Sequence, residues 1–107
     1  MKRDWRAVER RLARRLKGKR TALSGAAGGS DIEALWCAVE LKVRRALPRW
    51  LTSAVERAVR EATDQRLPLV ILHVWGQRHD DDIVITKLKH FEEWYGPLEG
   101  VADDDAR

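Results

Sequence analysis

The residues best suited to chemistry in this chain stand close together. Asp31 follows a glycine-rich segment, and Glu40-Leu41-Lys42 closes an apolar run. Along a β-strand side chains alternate between faces, so Glu40 and Lys42 point one way while Val39, Leu41 and Val43 point the other. With Asp31 on the neighbouring strand of a hairpin, two carboxylates and one ammonium meet at a single spot. Oxygen donors of this kind suit Mg²⁺, with Mn²⁺ as a substitute. A metal held there polarises a phosphodiester, lowers the pKa of a bound water and stabilises the leaving oxygen. Lys42 is placed to orient that water or help deprotonate it, its own pKa tuned by burial and by Glu40.

Other candidates are weaker. His73, His79 and His90 have no metal-ligand spacing with Cys37 or with one another. His73 lies in an apolar run and reads as a sheet residue rather than a ligand, and His79-Asp80-Asp81-Asp82 could bind a cation but reads more readily as a solvated acidic turn. Ser24 lacks both the Ser-His-Asp ordering and the G-x-S-x-G elbow of a hydrolase nucleophile. The single cysteine, Cys37, excludes an internal disulfide framework, argues for a reducing compartment and falls on the apolar side of its strand. Of five tryptophans, Trp5 and Trp75 fit core positions, whereas Trp36, Trp50 and Trp94 fit core, dimer-contact or base-stacking roles equally well.

The elements that must position these residues follow from periodicity. Asp4 as N-cap and Trp5, Val8, Leu12, Ala13 and Leu16 at helical spacing predict a first helix over 4–16, ended near Gly18 as C-cap. Glu9 falls on the inward stripe of that helix, where a lone carboxylate is costly unless paired. It either pairs with an arginine at the rim or faces the metal site. The Gly/Ala/Ser-rich stretch from Thr21 to Ser30 carries no nucleotide fingerprint and reads as a loop, either a connector or a cover over substrate. Strands are predicted over 31–33 and 36–44 with a turn near Ala34-Leu35. A second helix begins at Pro48, with Leu51, Val55, Ala58, Val59 and Ala62 as its buried stripe. Residues 68–75 form a nearly continuous apolar run, as in a strand covered on both faces. A further strand over 83–88 and a short helix over 89–95 complete the order α-β-β-α-β-β-α, with room for one extra short strand near Thr21. This alternation predicts an α/β fold with a mixed sheet flanked by helices. Residues 1–98 read as a single domain and 99–107 as a disordered acidic tail.

Composition bounds the partners. The 107 residues are 44% hydrophobic and 36% charged, with a net charge of +4 and a pI near 9.6, as in a globular domain with a heavily charged surface. Ten of the 21 lysines and arginines fall between Lys2 and Arg20, against only Asp4 and Glu9. A basic face of this kind suggests a polyanion, usually nucleic acid. Arg10, Arg14, Lys17, Lys19 and Arg20, with Arg44 and Arg45 further on, are the expected phosphate contacts. No apolar stretch is long enough to span a bilayer and no signal-peptide pattern is present, so a cytoplasmic protein with no membrane partner is expected.

The run Glu9…Arg20-Thr21-Ala22-Leu23-Ser24-Gly25…Ser30-Asp31…Val39-Glu40-Leu41-Lys42 resembles the PD-(D/E)xK nuclease superfamily. Within it, the chain is most similar to small Holliday junction resolvases of the archaeal type and their phage-encoded relatives, from about Glu9 to Leu88. The resemblance implies a restriction-endonuclease-like core, a homodimer, Mg²⁺-dependent cutting of four-way DNA junctions, and a host-cytoplasmic location if phage-encoded. By position it implies that Asp31, Glu40 and the Leu41 carbonyl are metal ligands and that Lys42 is the catalytic lysine. Glu9 corresponds to the acidic residue of the first helix, and Ser24 to a loop serine near the scissile phosphate. Ser30 replaces the motif's proline, and Glu56-Arg57 stand where the following helix often carries a polar residue such as Gln. A nicking, restriction-type or flap nuclease of the same fold, or a non-catalytic nucleic-acid-binding module, is the alternative.

Overall fold

The computed structural model describes residues 4–21 and 31–95. Their contacts divide them into two compact units, one running to Arg44 and the other from Arg45 to Tyr95. The expected tail over 99–107 and the segment 22–30 lie outside the described residues.

In the first unit, helix α1 spans Trp5–Arg15. Its N-cap is Asp4, in extended conformation, whose carboxylate accepts a hydrogen bond from the Arg6 amide at 2.9 Å. The inward stripe buries Glu9, Ala13 and Leu16. Trp5, expected in the core, is instead 49% exposed, its ring beneath the Arg6 guanidinium at 4.8 Å. Its place at the first turn puts the indole beyond the reach of the sheet that covers the later turns.

The helix ends in a Schellman motif. The Gly18 amide donates to the Ala13 carbonyl at 2.8 Å and the Lys17 amide to the Arg14 carbonyl at 3.2 Å. The left-handed residue is Lys17 (φ 61°), so the expected Gly18 cap is displaced by one residue. Glycine is needed at 18 for a different reason: a Cβ there would collide with the backbone carbonyl oxygen of Glu33.

Three short strands follow: β1 (Lys19–Arg20), β2 (Ile32–Glu33) and β3 (Ala38–Val39). They form an antiparallel sheet in chain order. An extra strand is present as β1, just before the stretch near Thr21 where one was expected; residues 22 and 23 of that stretch lie outside the described residues. A two-residue loop, Leu35-Trp36, joins β2 to β3 and is closed by the Ala34 amide on the Cys37 carbonyl at 2.9 Å. The Trp36 indole donates to the Leu16 carbonyl at 3.1 Å, satisfying an otherwise orphaned group at the end of α1. Ile32, at the centre of the sheet, is completely buried.

In the second unit, helix α2 spans Arg49–Ala62. Pro48 is its N-cap rather than its first residue. Thr63, in a left-handed conformation (φ 58°, ψ −154°), ends it. Strands β4 (Val70–Leu72) and β5 (Ile83–Ile85) pair antiparallel, with Val70 opposite Ile85 and Leu72 opposite Ile83. A 3₁₀ turn over His79–Asp81 lies between them, and helix α3 (Leu88–Tyr95) follows. The apolar run at 68–75 is not covered on both faces. Val70, Leu72 and Ile85 are partly buried, while Ile71 is 49% and Val84 55% exposed. This is the period-two division of an antiparallel hairpin, not the double burial of a parallel strand. Trp75, expected inside, stands just past β4 and is 95% exposed.

Among the described residues the fold is therefore α/β, with three α-helices and two small antiparallel sheets. The expected mixed sheet is absent among the described residues, because both sets of strands are joined by hairpin-type connections that force antiparallel pairing. No helix among these residues is long and apolar enough to cross a membrane.

Candidate active site

The pairing of β2 with β3 sets the geometry of the first unit's polar face. Ile32 lies opposite Val39 and Glu33 opposite Ala38, and Asp31 and Glu40 flank this paired segment at its open end. The Asp31 amide donates to the Val39 carbonyl at 2.8 Å, so Asp31 as well as Ile32 faces Val39, as in a β-bulge. On the other side, the Thr21 amide donates to the Asp31 carbonyl at 2.9 Å. The Asp31 backbone is thus held from both flanking segments. Residues directly opposite in an antiparallel pair share a face, so Thr21 and Asp31 lie on one face and Arg20, Ile32 and Val39 form the next row, on the other.

Side-chain contacts add to this. The Leu41 amide donates to Asp31 Oδ2 at 2.7 Å, tying the carboxylate across the hairpin to the residue between Glu40 and Lys42. Lys42 Nζ lies 3.1 Å from Glu40 Oε2, with both side chains largely exposed. Asp31 is therefore joined to the Glu40-Leu41-Lys42 segment through the Leu41 amide, and Glu40 and Lys42 are joined to each other. A shallow hollow of about 620 Å³ lies toward the turn end of the β2–β3 hairpin, walled by Lys17, Lys19, Arg20 and Thr21 with Glu33, Ala34 and Leu35.

Glu9 takes the other course open to it. It is 3% exposed, and its Oε1 receives the Arg20 Nε–H at 2.6 Å. Arg20 stands in the row that contains buried Ile32, so the pair seals α1 to the sheet. Arg20 is thereby engaged by an internal carboxylate rather than left as a surface cation. Arg10, Arg14, Lys17, Lys19, Arg44 and Arg45 are exposed. Arg10 reaches to within 4.0 Å of Asp4, and Arg44 donates to the Val43 carbonyl at 3.0 Å. Ser24 lies outside the described residues. Cys37 is partly buried, and desolvation raises its thiol pKa.

A second constellation, which the spacing of the histidines did not suggest, lies in the second unit. His73 Nδ1 is 2.6 Å from Asp82 Oδ1, and His79 Nδ1 is 2.9 Å from Asp82 Oδ2. Gln77 Nε2 donates to Asp82 Oδ1 at 3.0 Å. The hydrogen bonds from His79, then His73, hold the Asp82 carboxyl below the usual carboxylate range. Among the described residues, only His73, His79 and Asp82 form a group of three or more potential ligands with donor atoms within 4.8 Å of one another. Glu9 is thus not part of such a group with Asp31 and Glu40. The missed signal is the hairpin register: extended one pair beyond Leu72–Ile83, it places His73 opposite Asp82.

No protein-family model, curated protein or solved structure matches the chain.

Proposed function

We propose that the chain is a Mg²⁺-dependent, structure-selective DNA endonuclease of the restriction-endonuclease-like fold. In this reading it is a Holliday junction resolvase that nicks four-way junctions symmetrically as a homodimer. The observation that carries the reading is the bond from the Leu41 amide to Asp31, which ties that carboxylate to the Glu40-Leu41-Lys42 segment, where Lys42 lies against Glu40. Helix α1 packed on an antiparallel meander bearing these residues is compatible with such a core.

The donor set fits Mg²⁺, because it consists of hard oxygens. Asp31 and Glu40 would hold the ion with the Leu41 carbonyl, and Mn²⁺ would substitute. A carboxylate offers about four lone-pair positions, so the bond from the Leu41 amide leaves Asp31 free to accept more. When bound, the ion supplies Lewis acidity toward the phosphate and a more acidic water. Lys42 carries the charge that orients the attacking water and balances the phosphate, with Glu40 fixing its position. The exposed bases of α1 and its exit, with Arg44 and Arg45, bind the sugar-phosphate backbone. Glu9 contributes by positioning, through Arg20, the strand that precedes Thr21. Two symmetric nicks require two sites related by a two-fold axis, which makes a homodimer the assembly. The cytoplasm, of the host if the chain is phage-encoded, is where such DNA is met.

The test is incubation of the protein with Mg²⁺ and end-labelled four-way junction, linear duplex or single strand. Paired nicks confined to the junction are expected. Duplex cut as fast as junction would overturn the resolvase reading while leaving the nuclease, and no metal-dependent cleavage of any substrate would overturn both.

A further inference from the structure

We propose that His73, His79 and Asp82 form a binding site for a divalent transition metal of the zinc class, made of residues the nuclease reading does not use. The two imidazoles and one carboxylate are borderline donors, a set that favours Zn²⁺ and its neighbours over Mg²⁺. The backbone builds the site in two ways. Continued register of the β4–β5 hairpin places His73 opposite Asp82, and the 3₁₀ turn brings His79 back over Asp82 three residues on.

The donor atoms already converge. Each oxygen of Asp82 meets one Nδ1, at 2.6 Å for His73 and 2.9 Å for His79. The two rings approach to 4.7 Å between centroids, tilted by 33°. Neighbouring ligands of a tetrahedral zinc with bonds of about 2.0–2.1 Å are about 3.3 Å apart. The Nδ1–oxygen contacts therefore need to open by about 0.4 Å at His79 and about 0.7 Å at His73 to admit the ion, which takes the place of the protons now shared with Asp82. Both rings then carry their remaining proton on Nε2.

The surroundings suit a cation. Asp82 is 10% exposed in its side chain and is oriented by Gln77, as metal-binding carboxylates usually are. Arg78, the nearest cation in sequence, is paired with Asp80 at 3.1 Å. Asp80 and Asp81 add negative charge at the turn. Three protein ligands leave a fourth position for water, and the ion links the exit of β4 to the entry of β5, stabilising the hairpin connection.

Calorimetric titration of the full chain with Zn²⁺ near neutral pH tests this, together with Glu40→Gln and His79→Ala. His79 is 86% exposed in its side chain, so its replacement leaves the fold intact, which circular dichroism verifies. One saturable site per chain is expected in the wild type and in Glu40→Gln, weakened at least tenfold in His79→Ala. ¹⁵N-resolved histidine spectra are expected to show Zn²⁺ on Nδ1 of both His73 and His79. Absence of saturable binding, affinity unchanged in His79→Ala, or binding lost in Glu40→Gln would overturn the proposal.

Discussion

Glu9 is the buried charged residue among those described, and its carboxylate is matched by the Arg20 guanidinium at 2.6 Å. Leaving a buried carboxylate without its partner costs more than the pair itself contributes. Arg20 is about one-third exposed, which softens that cost. Arg20→Ala is therefore expected to lower unfolding stability by about 1–3 kcal/mol, and much less in a Glu9→Leu background. Denaturant unfolding of the four proteins in this cycle reads the coupling directly; additive losses would contradict it. Cys37 gives a second residue-scale prediction. Burial raises its pKa, so less thiolate is present at pH 7–8, and alkylation is expected to be slower than for a free thiol and to accelerate as pH rises through the raised pKa. The inward position of Glu9 was legible in the helical stripe. The role of Arg20 was not, because composition shows that a residue is basic without showing which carboxylate it meets. For the same reason, His73, His79 and Asp82 read as unrelated until the hairpin register joined them.

At the scale of elements, chain reversals carry the specificity. Lys17 adopts φ 61°, a conformation that a side chain disfavours by about 1 kcal/mol. Lys17→Gly is thus expected to stabilise the protein by about 0.5–1 kcal/mol. Gly18→Ala is expected to destabilise it by about 1–3 kcal/mol, since the added methyl meets the Glu33 carbonyl oxygen rather than a side chain that can move. Thermal unfolding of the two variants should shift in opposite directions, and a shared direction would overturn this account of the helix end. The helices were legible from their stripes, and α1 even to its Asp4 cap. The strands were harder. Their paired segments are only two or three residues long, too short for periodicity to distinguish one covered face from two. The apolar run at 68–75 thus read as doubly covered, although only alternate residues of its β4 segment turn inward.

At the scale of the whole molecule, charge is the dominant feature. Ten lysines and arginines against two carboxylates in the first twenty residues, within a net charge of +4, predict DNA affinity that falls steeply with salt. Arg14→Ala, at an exposed position in the last turn of α1, is expected to reduce the slope of log affinity against log salt by about 1 without altering stability, as read by fluorescence anisotropy across a salt series. Such binding alone does not separate a nuclease from a binding module. The proposed nuclease reading rests on Asp31 tied to the Glu40-Leu41-Lys42 segment, and the most direct measurement of it is single-turnover cleavage of a labelled four-way junction in Mg²⁺ by the wild type, Glu40→Ala and Lys42→Ala. Both side chains are more than 60% exposed, so the fold should survive their loss. Cleavage is expected to fall by about 100-fold or more in each variant, with junction affinity in Ca²⁺ changed by no more than about threefold. Undiminished cleavage by Glu40→Ala would contradict the assignment of this hairpin as the active site.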